Sequence, residues 1–202
     1  MGKKITRSQS NKQDDSDFVD QKLLASDEVC SFEATDIENL IQKGVFPSGV
    51  EIMPPNSLLQ SDFISRTWVA FPEFPFTVGL KYPFTGIIAE FFEKTGISYI
   101  QAMPVIWKTL YWIQLLNDSN NMSLDISDIA TMYDLQTFGS SRFIFKVKTG
   151  HPHLILKTRH NDKTWKGRFF FVKRSSVPQC AALPYEWVTK GRTVLVFPVI
   201  LI

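Results

Sequence analysis

The chain has 202 residues, 44% of them hydrophobic, and a formal charge of +2 at neutral pH, which supplies apolar material for one core and no acidic or basic extreme. Two cysteines, Cys30 and Cys180, exclude a disulfide framework and a four-cysteine zinc site and point to an intracellular, reduced setting, nucleus and cytoplasm alike. No apolar h-region opens the chain and no run reaches about 20 apolar residues, so neither a secretory signal nor a transmembrane segment is expected.

The small net charge hides an uneven layout. Residues 14–38 carry nine acidic side chains against Lys22 alone, and residues 142–174 carry ten Lys or Arg against Asp162 alone. Met1 to Ser31 is polar and poor in aromatics, the composition of a disordered arm. Its opening, Met1-Gly2-Lys3-Lys4-Ile5-Thr6, matches the myristoylation pattern at Gly2, with Lys3, Lys4 and Arg7 available to an anionic surface. That pattern is short, and an unmodified polar terminus is the simpler reading.

Structure is expected from Thr35, where Thr35-Asp36-Ile37-Glu38 reads as a capping box and Ile37, Leu40 and Ile41 share a helical face up to Gly44. Residues 45–76 carry five prolines, which predicts extended loop with a short strand near Trp68 to Phe71; Phe71, Phe74 and Phe76 tack this segment onto a helix pair. That pair lies in the stretch from Phe76 to Leu116, which has the densest apolar patterning. Ile88, Phe91, Phe92 and Thr95 line one helical face that Gly96 terminates. A second helix starts at Pro104 and runs to Leu116, interrupted only by Lys108, Thr109 and Gln114, so it should be covered on most sides. A core pair is the plain reading; a pocket lined by Trp107, Tyr111 and Trp112 is the alternative.

Ile126, Ile129, Ala130 and Tyr133 give a third helical face, capped by Ser123 or Asp125 and ended by Gly139 to Ser141. The period then changes. Phe143, Phe145 and Val147 alternate with Arg142, Ile144, Lys146 and Lys148, a half-buried strand; Leu154 to Thr158 and Trp165 to Lys173 supply two more. The expected fold class is α+β: a cluster of three to four helices, then a three-stranded antiparallel sheet, behind the disordered arm. The expected domains are an arm over 1–31, one α+β unit over 32–187 and an apolar tail over 188–202.

Catalytic signatures are sparse. His151, His153 and His160 lack a carboxylate or thiol at ligand spacing and read as solvated loop histidines. Asp118, Asp125, Asp128 and Asp134 fall at helix ends and exposed helix positions, where capping accounts for them. The sequence shows no Gly-rich phosphate loop, nucleophile elbow or HExxH, and it points to no cofactor, metal or small-molecule substrate. The physical lead is the basic meander. Lys146, Lys148, Lys157, Arg159, Lys166, Arg168, Lys173 and Arg174, with Lys163 among them and Trp165 interleaved, would form one positive face able to track a phosphate backbone and stack bases. The plainer reading turns the aromatics into the core and leaves the cations solvated.

Two blocks carry a family resemblance. Residues 79–110, with the Gly-Leu-basic-aromatic-Pro opening and the Gln101, Pro104, Trp107 turn, and residues 163–174, KTWKGRFFFVKR, with LPYEW after them, resemble the gypsy-type transposon domain of plant retroelement-related proteins. The likeness spans Trp68 to Trp187. It implies a mobile-element-derived protein in a Gag-like or accessory, non-enzymatic role, contacting nucleic acid or other copies of itself. It carries over no catalytic residues. The family label implies the alternative, a metal-dependent transposase or nuclease. The apolar run from Val194 to Ile202, where relatives continue with polar helical sequence, implies a truncated or degenerate copy.

Overall fold

A computed structural model describes residues 30–55, 65–139, 141–152, 154 and 163–181. Gly2, the arm up to residue 29, His153, His160, Lys157, Arg159, all but Leu154 of the strand expected over Leu154 to Thr158, Trp187 and the tail lie outside the described residues.

The fold is α+β, with helices packed against antiparallel sheets. Ordered packing begins before Thr35. Phe32 is buried, stacked on Phe170 with ring centroids 5.1 Å apart. Helix α1 (Ala34–Gln42) is capped two residues earlier than expected, at Glu33, whose amide donates to Asp36 Oδ2 at 2.9 Å. Ile37 and Leu40 face inward, whereas Ile41, expected beside them, is exposed.

The sheet order is β1 (Ile52–Met53), β5 (Phe169–Lys173), β2 (Trp68–Pro72), antiparallel throughout. The unbroken apolar run Phe169 to Val172 reflects this order: β5 is the central strand and is buried on both sides. Phe170 and Val172 enter the main core, while Phe169 and Phe171 pack with Ala70 and Ile100 in a second, smaller cluster.

The core is an aromatic cluster under α2 (Phe74–Thr77), α3 (Gly86–Thr95) and α4 (Pro104–Asn120). Ile88, Phe91, Phe92 and Thr95 are all buried, and Gly96 closes α3 at φ 65° in the left-handed region, both as the pattern predicts. The N-terminus of α3 is capped from another helix, since the Ile87 amide donates to Gln114 Oε1 at 3.1 Å. Helix α4 extends one turn past Leu116. Asn117 then holds the next turn by pairing with both backbone groups of Leu124, at 2.8 and 3.0 Å.

Asp125 caps α5 (Ile126–Met132) as predicted, accepting from Ser127 and Asp128 amides at 2.7 and 3.1 Å. That helix is shorter than its pattern. Tyr133 is buried as the spacing requires, yet Tyr133–Phe138 is strand β3, because Leu135 and Thr137 face Phe145 and Phe143 of β4 (Arg142–Val147) in a hairpin turned at Gly139. The expected meander is therefore replaced. Strand 142–147 pairs with β3, strand 169–173 pairs with β1 and β2, and residues 163–167 form a 3-10 turn. The hairpin is bolted to the helical layer: Met103 N–H donates to the Phe143 carbonyl at 3.0 Å, Gln101 Nε2 to Ser141 O at 2.8 Å, and the buried Arg142 guanidinium to Ile100 O.

Candidate interaction surfaces

The expected basic face is divided by this topology. Lys146 and Lys148 belong to the hairpin, whereas Arg168, Lys173 and Arg174 belong to the three-stranded sheet. The reason is strand order, which the spacing of cations along the chain does not encode. Lys146 is exposed on the outer side of the hairpin. Lys148 Nζ donates to Ala130 O at 2.5 Å and lies 3.8 Å from Asp134. Lys173 pairs with both Glu51 oxygens at 2.9 and 3.0 Å. Arg174 is buried and donates to Ser65 O at 3.3 Å. Lys166 is half-buried beside the buried Trp165, whose ring lies 5.0 Å under the Arg142 guanidinium.

Arg168 is the most engaged of the set. Nε and Nη2 form a fork to Glu73 at 2.7 and 2.9 Å, Nη1 reaches Asp36 Oδ2 at 3.1 Å and Ser31 O at 2.7 Å, and the guanidinium lies 5.0 Å over the Phe32 ring. The hydrogen bond from Arg168, with one from the Glu33 backbone, holds the Asp36 carboxyl below its ordinary 3.8, and the fork to Glu73 with the bond to Asp36 raises Arg168. This cation fastens the 30–36 segment to the sheet, a structural task rather than phosphate contact.

Of the carboxylates expected on helices, Asp125 and Asp128 cap α5 and Asp118 accepts from Gln114 Nε2 at 3.0 Å, whereas Asp134 lies in strand β3. Among the described residues no group of three or more His, Cys, Asp or Glu could hold a metal ion, and no helix is long and apolar enough to cross a membrane. The alternative pocket between Trp107, Tyr111 and Trp112 does not assemble. Trp107 is fully buried against Phe84 and Phe92, while Trp112 points away from the core.

That second tryptophan is what the sequence concealed. Trp112 is 53% exposed, and Leu115 and Leu116, at i+3 and i+4 from it, are only half-buried, so one face of α4 presents apolar side chains to solvent. An all-round apolar helix reads as fully covered, and only neighbouring elements reveal the open side. A second open apolar site is Phe138, 51% exposed at the end of β3.

No family model, curated protein or solved structure matches the chain.

Proposed function

We propose that the chain is a non-enzymatic, mobile-element-derived interaction protein of Gag-like or accessory kind, whose working contacts are between copies of itself. The single observation that carries this reading is the open face of α4, centred on Trp112. Large aromatic side chains on a protein surface are the residues that anchor interfaces, because they bury much apolar area at little rotamer cost. The mobile-element origin rests on the sequence blocks at 79–110 and 163–174. The reading does not rest on the basic meander, because among the described residues its cations divide between two sheets and four of them, Lys148, Arg168, Lys173 and Arg174, are engaged with carboxylates or backbone carbonyls.

Sedimentation velocity across a concentration series tests the reading. The unaltered chain should self-associate, and Trp112→Asp should weaken that association at least about tenfold without unfolding the chain, because the side chain is exposed. Identical sedimentation of both chains at every concentration would overturn it.

A further inference from the structure

Among the described residues, one edge of the hairpin has no strand partner. β3 pairs only with β4 among the described residues, and its residues Leu135 to Phe138 include no Lys, Arg or Pro, the devices that ordinarily blunt an exposed edge. The ladder phase shows which backbone groups point outward. Lys148 N–H donates to Met132 O at 2.9 Å, and the register pairs residues whose numbers sum to 280. Bonded pairs therefore recur at Asp134, Gln136 and Phe138, and the backbone groups of Leu135 and Thr137 are directed away from β4. The carbonyl of Phe143, opposite Thr137, is likewise turned outward on the other side, where it receives Met103 N–H. Tyr133 N–H is already taken by Ile129 O at the end of α5.

The four outward groups beyond it, the N–H and C=O of Leu135 and of Thr137, are disposed symmetrically about Gln136. Two-fold symmetry is what this pattern fits. A reversed second copy of β3 places Leu135 across from Thr137 of that copy and satisfies all four groups on each chain. We infer that β3 is an isologous docking edge, taking β3 of a second copy in antiparallel register with the two Gln136 residues opposed on the symmetry axis. The side chains agree with that occupant. Asp134 lies across from Phe138 of the second copy, so no like charges meet, and the exposed Phe138 ring becomes covered. The pair of Asp134 with Lys148 stays within its own hairpin.

This inference rests on the reading that the chain works by contacts among copies, but it uses a different surface, so the two are separable in the full chain carrying Trp112→Asp. That chain should still dimerise through the edge. Adding Gln136→Glu, or Gln136→Lys, puts like charges opposite each other at close range and should weaken the remaining dimer about tenfold in either case. Mixing the Glu and Lys chains should restore it, since opposite charges then meet on the axis. Recovery on mixing cannot come from a folding defect, because both parents would carry it. A Trp112→Asp chain that is monomeric throughout the series, or Gln136 variants that dimerise as well as their parent, overturns the edge assignment. The first proposal falls instead if Trp112→Asp leaves association unchanged while the Gln136 variants move it.

Discussion

Replacing Arg168 by Met keeps most of the aliphatic stem and deletes the charge, and it separates a structural cation from a phosphate-binding one. The guanidinium makes a two-pronged contact with Glu73, at 2.7 and 2.9 Å, reaches Asp36 at 2.9 and 3.1 Å and lies over the Phe32 ring. Its own side chain and those of its two carboxylate partners are 21–24% exposed. Removing one member of a fully buried ion pair costs about 3–5 kcal/mol, since the survivor stays charged and unpaired. Partial exposure lets water solvate the survivors, and the lost cation–π contact adds back about 0.5–1 kcal/mol, so the expected loss is about 3 kcal/mol. For a chain of this size that lowers the melting temperature by about 6–12 °C. Urea titration followed by both far-ultraviolet circular dichroism and tryptophan emission measures it. Arg168→Lys should recover less than half, as an ammonium cannot form the fork. Adding Glu73→Gln and Asp36→Asn to Arg168→Met should restore part of the loss by removing the stranded charges. An Arg168→Met chain within about 0.5 kcal/mol of the unaltered one, the range of an ordinary surface change, would refute the clasp.

The same clasp sets an acid response. Asp36 has its carboxyl lowered below 3.8 in the folded chain, so its contribution is fully present above that value and fades as pH falls through the lower folded one; the stability difference between the unaltered chain and Asp36→Asn should be flat above about pH 5 and shrink below pH 4 in urea titrations at stepped pH. At Gly86, φ is +56° and a Cβ would stand 2.2 Å from Gln114 Oε1. Gly86→Ala should therefore cost about 2 kcal/mol or more through left-handed strain and the displaced cap on α3, and it should do so less in a Gln114→Ala background; equal costs in both backgrounds would place the whole effect in the backbone.

What the sequence made legible were faces, and what it withheld were neighbours. The period of Ile88, Phe91, Phe92 and Thr95 and the cap at Asp125 arise from local chemistry, and the structure has them. Local patterning also places residues 142–147 and 169–173 in one sheet because they are close in sequence, whereas β5 takes its partners from residues 52–53 and 68–72. The run of four apolar residues in β5 was itself the signal of a central strand, since a half-buried edge strand would have alternated. At Tyr133 two periods were compatible. A buried residue seven positions after Ile126 suits a helix, but it equally begins a strand whose alternate residues Leu135 and Thr137 meet β4, and the hairpin partner decided between them.

The consequence for function is a change of material. Cations gathered by a meander would have made one electrostatic face, with affinity governed by salt. Cations divided between two sheets and engaged with Glu73, Asp36, Glu51 and backbone carbonyls instead tie segments of the fold together. Among the described residues, the α4 face around Trp112 and the outer edge of β3 offer apolar or backbone surface to a partner. Two distinct self-contacts on one chain, if both are two-fold, would carry assembly beyond a dimer. On the two proposed contacts each copy would meet one neighbour through α4 and another through β3, and the angle between the two axes would set whether the assembly closes or runs on as an array. The proposed assembling role would draw on contacts of that kind, which a single basic sheet would not supply.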